Sequence, residues 1–347
     1  MLALPSIPPV STTVQAQARA RQAQLTKPTG SLGQLEELSI QLAGITGQLR
    51  PSLANKAIIV MAGDHGVARE GVSAYPPEVT PQMVLNFLHG GAAINVLARQ
   101  AEARVVVVDM GVAGDLPNVA GLINRKIARG TRNLAALPAM TRAQAEAAVA
   151  IGIDVVNGEI AKGLDLVATG DMGIGNTTPS AAIAAAITQR PVSEVTGRGT
   201  GVDDVGLAHK IATIEHALQL HEPNPQDALD VLSCVGGFEI GGLAGVIIGA
   251  AAKRVPVVID GFISGAAALI AAALVPDVKP YLIAAHQSVE IGHRAILNHL
   301  GLKPLLNLNL RLGEGTGAAL AFNLIEASVR VLNEMATFAE AGVSDKE

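Results

Sequence analysis

The sequence predicts an α/β protein built on a mostly parallel, doubly wound sheet of about six strands. Short apolar runs of strand length recur along the chain, and a polar or glycine-rich cluster follows most of them. Alanine-rich segments with helical spacing lie between the runs. The composition agrees, because 49% of the residues are hydrophobic and only 2% are aromatic, which suits buried parallel strands. The predicted strands are residues 57–61, 105–108, 164–168, 256–259, 281–284 and 305–312.

The predicted helices form two groups. Those between strands are expected to cover the sheet, and they are residues 91–103, 142–163 and 178–188. The others lie near the two chain ends and have no strand partner; they are residues 11–25, 31–47 and 316–341. We therefore expect a large α/β catalytic domain, residues 50–315, with a small helical subdomain formed by residues 1–49 and 316–347.

Composition and charge exclude several classes of function. The net charge is −5 and Lys/Arg runs are absent from the sequence, which argues against nucleic-acid binding. The single cysteine, Cys234, excludes an intramolecular disulfide and a cysteine-based zinc cluster. The apolar stretches 240–252 and 261–276 are shorter than the roughly 18 residues that indicate a membrane span. Because no signal-peptide pattern opens the chain, we expect a soluble cytoplasmic protein.

The most informative residue is Glu314, which lies between Gly313 and Gly315 on a turn from a predicted strand to a predicted helix. Such a turn lies at the carboxyl edge of a parallel sheet, where open α/β folds bind their ligands. The glycines allow a ligand to approach the backbone closely. A carboxylate placed in this way is a candidate general base.

Two further glycine-rich loops are candidate phosphate sites. Residues 170–179 follow a predicted strand and open a helix, so that free N–H groups and the hydroxyls of Thr177 and Thr178 would attract an anion. Residues 197–201 precede a helix that carries Lys210. The alternative for either loop is a tight turn without a ligand.

Other polar residues at strand ends admit plainer interpretations. His65, His286 and His293 lack a clear third zinc ligand, so hydrogen-bonded histidines that orient a loop are the favoured interpretation and no metal is expected. Tyr75 and Met83 would suit an apolar slot for a flat ring, although ordinary packing is the alternative.

Several ordered blocks together resemble the nicotinate-nucleotide–dimethylbenzimidazole phosphoribosyltransferase family. The blocks are residues 27–33, 63–67, 90–95, 130–133, 138–141, 173–178, 236–239, 260–262 and 311–318. The resemblance implies a Rossmann-like sheet, a homodimer without a cofactor, and transfer of the phosphoribosyl group of nicotinate mononucleotide to 5,6-dimethylbenzimidazole. The products would be α-ribazole 5′-phosphate and nicotinate, in cobalamin synthesis.

The resemblance also implies roles for individual residues. Glu314 would be the catalytic base, Asp171 and Asp260 supporting acids, and Tyr75 with Met83 the acceptor-base pocket. The residues that would bind the phosphate and nucleotide are Gly173, Gly175, Asn176, Thr177, Gly199, Lys210 and Ser288.

The chain departs from the family at two places. Asp171 stands where the family often has Glu, and Tyr75 and Met83 stand where some relatives have Ser and Gln. Another benzimidazole, a purine or a phenol therefore remains open as the acceptor. The rival hypotheses are a nucleotide- or base-binding protein without catalysis and a dinucleotide-dependent oxidoreductase.

Overall fold

The computed structural model describes residues 2–117 and 119–344. Its strands are β1 (Lys56–Gly63), β2 (Ala103–Gly111), β3 (Leu122–Asn124), β4 (Leu166–Met172), β5 (Val257–Ile259) and β6 (Leu282–Ala284). Its helices are α1 (Thr12–Gln24), α2 (Gln34–Thr46), α3 (Val79–His89), α4 (Ala93–Gln100), α5 (Arg142–Ile160), α6 (Thr177–Thr188), α7 (Val192–Val195), α8 (Asp204–His221), α9 (Ala228–Val235), α10 (Phe238–Ala252), α11 (Phe262–Leu274), α12 (Ile291–Leu300), α13 (Thr316–Glu334) and α14 (Phe338–Ala341).

The six strands form one sheet in the order β3-β2-β1-β4-β5-β6, and every pair is parallel. This is the strand order of a Rossmann fold, in which the chain direction across the sheet reverses between β1 and β4. The predicted fold class is therefore confirmed. Ligands of open α/β sheets bind in the crevice at such a reversal.

Helices cover both faces of the sheet because each strand alternates its side chains between two apolar clusters. Ile59 and Met61 of β1 face the cluster that includes α5, α6, α10 and α11. Ile58 and Val60 face the cluster that includes α3, α4 and α13. Both faces of β1 are buried along its whole length, which explains the continuous apolar sequence of this strand.

Helix α10 contains the apolar stretch 240–252. All its residues except Ala252 are buried, so this helix is a central element of the core. Gly152 of α5 and Gly242 of α10 bring the two backbones together, since a Cβ on Gly152 would lie 1.9 Å from the Gly242 carbonyl oxygen. Within the described residues, no helix is both long and apolar enough to cross a bilayer.

The strands differ from the prediction at two places. The segment 305–312 is not a strand: it forms one isolated parallel bridge, from Leu306 to His286, beside the edge strand β6. Pro304 has no N–H to extend the pairing, and Asn309 has a left-handed φ of 55° that interrupts extended backbone. The short edge strand β3 was not predicted.

The long carboxyl-terminal helix is also shorter than predicted. α13 ends at Glu334, the chain turns through an extended Met335, and α14 begins after Thr337. The Thr337 side chain accepts a hydrogen bond from the Glu340 N–H and so caps α14. Leu25 and Thr337 form an antiparallel bridge that joins the two ends of the chain.

The terminal helices contact one another as expected, since α2 packs against both α1 and α13. Leu332 near the end of α13 lies in a small buried cluster with Ala18 and Ala43. Phe322, nearer the start of α13, packs against the sheet instead. One helix thus belongs to both regions, and the division into domains at residues 49/50 and 315/316 stays a prediction.

Candidate active site

The predicted acids converge at the carboxyl edge of the sheet, beside the β1–β4 reversal. Asp171 is the penultimate residue of β4, Asp260 follows β5, and Glu314 precedes α13. The negative charges of Asp260 and Glu314 both act on Asp171. A Cβ on Gly313 would lie 3.2 Å from Asp171 Oδ2, which places the Glu314 turn directly against β4.

The Glu314 turn is a run of three residues in left-handed conformation. Gly313, Glu314 and Gly315 have φ values of 81°, 62° and 91°. Such a φ is strained for Glu, and strain of this kind persists only where the surroundings enforce it. Asp260 enforces it, because its carboxylate accepts hydrogen bonds from the Gly315 N–H at 3.2 Å and the Ala318 N–H at 2.9 Å.

Asp260 therefore caps the start of α13 and fixes the turn that presents Glu314. The backbone of β4 adds a second restraint, since a Cβ on Gly170 would lie 2.5 Å from the Glu314 carbonyl oxygen. Thr316 contributes a third, with its hydroxyl donating to the Gly313 carbonyl at 2.9 Å. A role for Asp260 as a supporting acid in catalysis stays a prediction.

Glu314 itself is buried, with 5% of its surface exposed. Its Oε2 accepts one weak hydrogen bond, from the Ile94 N–H at 3.4 Å. Burial, reinforced by the negative charge of Asp260, raises the pKa of Glu314 to about 7, against an ordinary value of 4.5. A carboxylate that ionises near neutral pH is well matched to removing a proton from a ligand.

Asp171 is in a different state. Its Oδ2 accepts a hydrogen bond from the Asn176 side-chain amide at 2.9 Å, and its buried Oδ1 has no hydrogen-bond partner within the described part of the chain. Burial, followed by the charge of Asp260, raises the pKa of Asp171 well above its usual range. Asp171 therefore favours the protonated form, which can donate a hydrogen bond where an ionised acid can only accept.

Lys210 joins the two glycine-rich loops. Its ammonium group donates to Thr177 Oγ1 at 2.6 Å and to the Gly197 carbonyl at 3.4 Å. A Cβ on Gly199 would lie 3.1 Å from Nζ, so that loop closes over the charge. Burial lowers the pKa of Lys210 to about 8, although the charge of Glu290 acts in the opposite sense.

Ser288 lies next to this group on the loop after β6. Its hydroxyl oxygen accepts from the Glu290 N–H at 3.2 Å, and its own N–H donates to His293 Nδ1 at 3.0 Å. The charge of Glu290 acts on Lys210, which connects the Ser288 loop to the predicted phosphate residues. His293 thus orients a loop, as predicted for the strand-end histidines.

Gly173 and Gly175 have packing reasons to be glycine. A Cβ on Gly173 would lie 2.2 Å from the Gly63 carbonyl oxygen, at the end of β1. Gly175 has a left-handed φ of 87° and lies against Ala68. These contacts explain both glycines without a ligand, so a role in phosphate binding stays a prediction for them and for Asn176.

The predicted acceptor pocket is the least defined part of the site. Tyr75 is 55% exposed and lies on a segment whose Ala74 N–H donates to Thr200 of the second glycine-rich loop at 3.0 Å. Met83 is half-buried on α3 and packs, like Met172, against the apolar cluster on that face of the sheet. The two residues remain a hypothesis for the pocket.

A buried pair of His65 and Glu239 was not predicted. His65 Nε2 lies 2.8 Å from Glu239 Oε1, and neither side chain is exposed. Burial opposes the charged imidazole, but the charge and hydrogen bond of Glu239 outweigh it, and the pKa of His65 is raised. Both residues lie in blocks that carry the family resemblance, yet 174 positions separate them and nothing in the sequence pairs them.

No set of three or more His, Cys, Asp or Glu side chains in the described ranges is arranged to hold a metal ion. The raised pKa of Glu314 and the strained turn that presents it suit removal of a proton from one ligand. The buried charge of Lys210, near two glycine-rich loops, suits binding of a second, anionic ligand.

Comparisons with known proteins identify the family of this chain. A family model described as Phosphoribosyltransferase matches residues 7–343. A protein of Chloroflexus aurantiacus named nicotinate-nucleotide–dimethylbenzimidazole phosphoribosyltransferase is 65% identical over 340 residues, covering 98% of this chain and 97% of the relative. A protein of the same name from Roseiflexus castenholzii is 68% identical over 329 residues, covering 95% and 93%. The crystal structure of CobT from Thermus thermophilus is similar, with a TM-score of 0.92 at 49% identity, covering 96% of this chain and all of that one (100%).

Proposed function

The chain belongs to this phosphoribosyltransferase family, and we propose that it transfers the phosphoribosyl group of nicotinate mononucleotide to 5,6-dimethylbenzimidazole or a related base. The products are α-ribazole 5′-phosphate and nicotinate, and the reaction serves cobalamin nucleotide-loop synthesis. The names of relatives 65% and 68% identical support these substrates. The observation that carries the proposal is the buried Glu314 carboxylate on its restrained turn.

Glu314 acts as the base in the proposed reaction. Its carboxylate takes the N–H proton of the azole ring, which frees a lone pair on that nitrogen. The lone pair forms the new bond to the ribose anomeric carbon. The bond from that carbon to the pyridinium nitrogen breaks, and its electrons neutralise the departing nicotinate ring. A pKa of about 7 leaves a useful fraction of Glu314 ionised at neutral pH.

The remaining acids position this base. Asp260 holds the turn through the N–H groups of Gly315 and Ala318. Asp171 lies beside Gly313 with one free oxygen and, when protonated, can donate a hydrogen bond toward the reacting groups. Asp is one methylene shorter than Glu, which leaves more room at this position than a Glu would.

The phosphate of the nucleotide is proposed to bind at the group around Lys210. This group comprises Gly173, Gly175, Asn176, Thr177, Gly199, Lys210 and Ser288. The buried ammonium group supplies the positive charge, and the N-terminal end of α6 adds the positive end of its helix dipole. The phosphate lies away from the bond between the anomeric carbon and nicotinate, and holding it there aligns the ribose for attack.

We propose that Tyr75 and Met83 line the pocket for the acceptor base, which is an apolar ring. We propose no cofactor and no metal, because nicotinate departs from a ring nitrogen that already carries positive charge. A homodimer is also proposed, on the strength of the family resemblance, and so is a location in the cytoplasm. Sedimentation equilibrium of the purified protein tests the dimer, and fractionation of the source cells tests the location.

An end-point assay tests the function. Purified protein is incubated with nicotinate mononucleotide and 5,6-dimethylbenzimidazole, and the products are separated by liquid chromatography. Nicotinate and a new ribotide are expected in equal amounts, and neither with the Glu314→Ala variant. Repeating the assay with benzimidazole, adenine or a phenol in place of 5,6-dimethylbenzimidazole shows which acceptors the enzyme uses. A thermal shift with the nucleotide, but no transfer to any acceptor, would instead identify a binding protein without catalysis.

A further inference from the structure

Glu290 is a buried acid at the proposed phosphate site to which the mechanism gives no role. Only 7% of its surface is exposed, and its Oε2 has no hydrogen-bond partner within residues 2–117 and 119–344. Gly197 makes room for it, since a Cβ there would lie 2.1 Å from this oxygen. A cavity of about 350 Å³ adjoins the group and is also lined by Gly199 and Arg311.

The groups that face Glu290 are those expected to bind an anion. The Gly199 N–H lies beside the carboxylate, and the positive charges of Lys210 and Arg311 act on it from two different elements. Arg311 is held in place by donating to the Gly199 carbonyl at 3.2 Å. His293 lies on α12, which Glu290 directly precedes. Burial and the nearby His286 lower the pKa of His293 to about 3, so His293 adds no charge.

One more charged side chain lines the same cavity. Arg198 donates to the Val202 carbonyl at 3.0 Å and is paired with Asp204, which partly neutralises it. The arrangement around Glu290 is therefore one carboxylate, two nearby positive charges and one N–H donor. A phosphate group would seek the same donors as the carboxylate.

We infer that Glu290 occupies the anion position of the phosphate site in the free enzyme and takes up one proton when the phosphate of the nucleotide enters. The inference rests on the proposed function, because that function supplies the phosphate. Two anions competing for Lys210, Arg311 and the Gly199 N–H repel each other strongly at a buried site. Protonating Glu290 removes the repulsion and lets it donate a hydrogen bond to the phosphate.

The electrostatics of the free site agree with this exchange. Burial already raises the pKa of Glu290, and only Lys210, the Gly199 N–H and Arg311 hold it down. Once a phosphate takes these partners, the balance moves further toward the protonated acid. Because binding then consumes a proton, the affinity for the nucleotide falls as the pH rises.

Isothermal titration calorimetry measures the proton directly. Nicotinate mononucleotide is titrated into wild-type protein at pH 7.0 in two buffers of different ionisation enthalpy, and the difference in heat gives the protons taken up per site. At this pH Lys210, with a pKa of about 8, is already mostly charged and contributes little. Nicotinate riboside, which lacks the phosphate, is the matched control ligand.

We expect up to one proton per site for wild type and nearly none for Glu290→Gln or Glu290→Ala. Between pH 6.5 and 7.5 the wild-type affinity should fall by up to about tenfold, as one proton requires, and the variant affinity clearly less. Glu334→Gln, an exposed acid on α13 paired with Arg330, should behave as wild type. Circular dichroism confirms that each variant is folded, and Glu290→Asp should retain the uptake.

Equal proton uptake in wild type and both neutral variants would place the proton elsewhere and overturn the inference. A wild-type enzyme that transfers phosphoribosyl groups but binds the nucleotide without a proton would overturn it too, while leaving the proposed function intact. Failure of wild type both to bind the nucleotide and to form product would overturn the proposed function, and this inference with it.

Discussion

Replacing Glu314 with Gln should make the protein more stable and nearly inactive. The pKa of Glu314 is about 7 in the folded protein and 4.5 in ordinary surroundings. A difference of about 2.5 corresponds to at most about 3 kcal/mol of folding free energy, at about 1.36 kcal/mol for each pKa unit. Gln has nearly the same shape, keeps an acceptor for the Ile94 N–H and carries no charge to bury.

The sign of the effect follows from proton linkage. Below pH 4.5 Glu314 is protonated in both the folded and the unfolded chain, so its ionisation costs nothing. Between pH 4.5 and 7 only the unfolded chain releases the proton, and the folded state loses stability as the pH rises. Above pH 7 the loss is complete and constant. The stabilisation by Gln should therefore be absent at low pH and full at pH 8.

Thermal unfolding from pH 4.5 to 8.5 measures this difference. With an unfolding entropy of about 2.1 cal/mol/K per residue over 347 residues, 3 kcal/mol corresponds to a rise in Tm of about 4 °C at pH 8. Glu334→Gln, which alters only a surface pair, should leave Tm within about 1 °C. Turnover by Glu314→Gln should fall by about 10² to 10⁴, and wild-type kcat should rise through about pH 7.

Two results would refute this reasoning separately. A Tm difference that is the same at pH 4.5 and pH 8 would mean that Glu314 ionises at an ordinary pKa in the folded protein. Turnover within a few-fold of wild type would mean that the transferred proton goes to another group. Only the second result removes Glu314 from the proposed mechanism.

Three further predictions concern the rest of the site. Lys210→Ala should raise the KM for nicotinate mononucleotide more than the KM for the base, and steady-state kinetics showing the reverse would misplace the phosphate site. Gly315→Ala should lower the free energy of unfolding, measured in urea, by several kcal/mol, because φ is 91° and the new methyl group would clash with Ile58. The control Gly342→Ala, where φ is 64° and the space around the residue is open, should lower it by about 1 kcal/mol. Glu239→Leu leaves His65 without its buried partner and should cost about 3 kcal/mol in the same urea experiment, whereas an unchanged midpoint would show the pair to be dispensable.

The fold could be read from the sequence because its strands are buried on both faces. Residues such as Ile58, Ile59 and Val60 give a continuous apolar run, which is the pattern of a parallel strand between two helix layers. The edges of the sheet lack this signal. None of the three residues of β3 is buried. In the segment 305–312, Leu305 and Leu306 pack against the core but Leu308 and Leu312 are exposed, so its apolar residues do not mark a buried strand.

The positions of Asp171 and Asp260 could be predicted together for a topological reason, whereas Glu314 reaches the same edge although the segment before it is not a strand. Parallel strands end at one edge of the sheet, so residues that follow different strands meet there whatever their separation in sequence. The His65–Glu239 pair depends on a different contact, between the end of β1 and the start of α10. That contact is set by how α10 packs against the sheet, which no local pattern encodes.

Concentrating acids at one edge would oppose binding of an anionic nucleotide if all of them were ionised. Several interactions offset or reduce the negative charge of these acids. The N–H groups of Gly315 and Ala318 stabilise the Asp260 carboxylate, and His65 pairs with Glu239. Burial favours the protonated form of Asp171, and it raises the pKa of Glu314 to about 7, so that part of the Glu314 population is protonated at neutral pH. The site therefore carries far less negative charge than its sequence suggests. Burial of Glu314 lowers the negative charge that an anionic nucleotide meets. Since Glu314 must lose its proton to act as a base, the raised pKa that burial causes also sets the lower pH limit of the reaction.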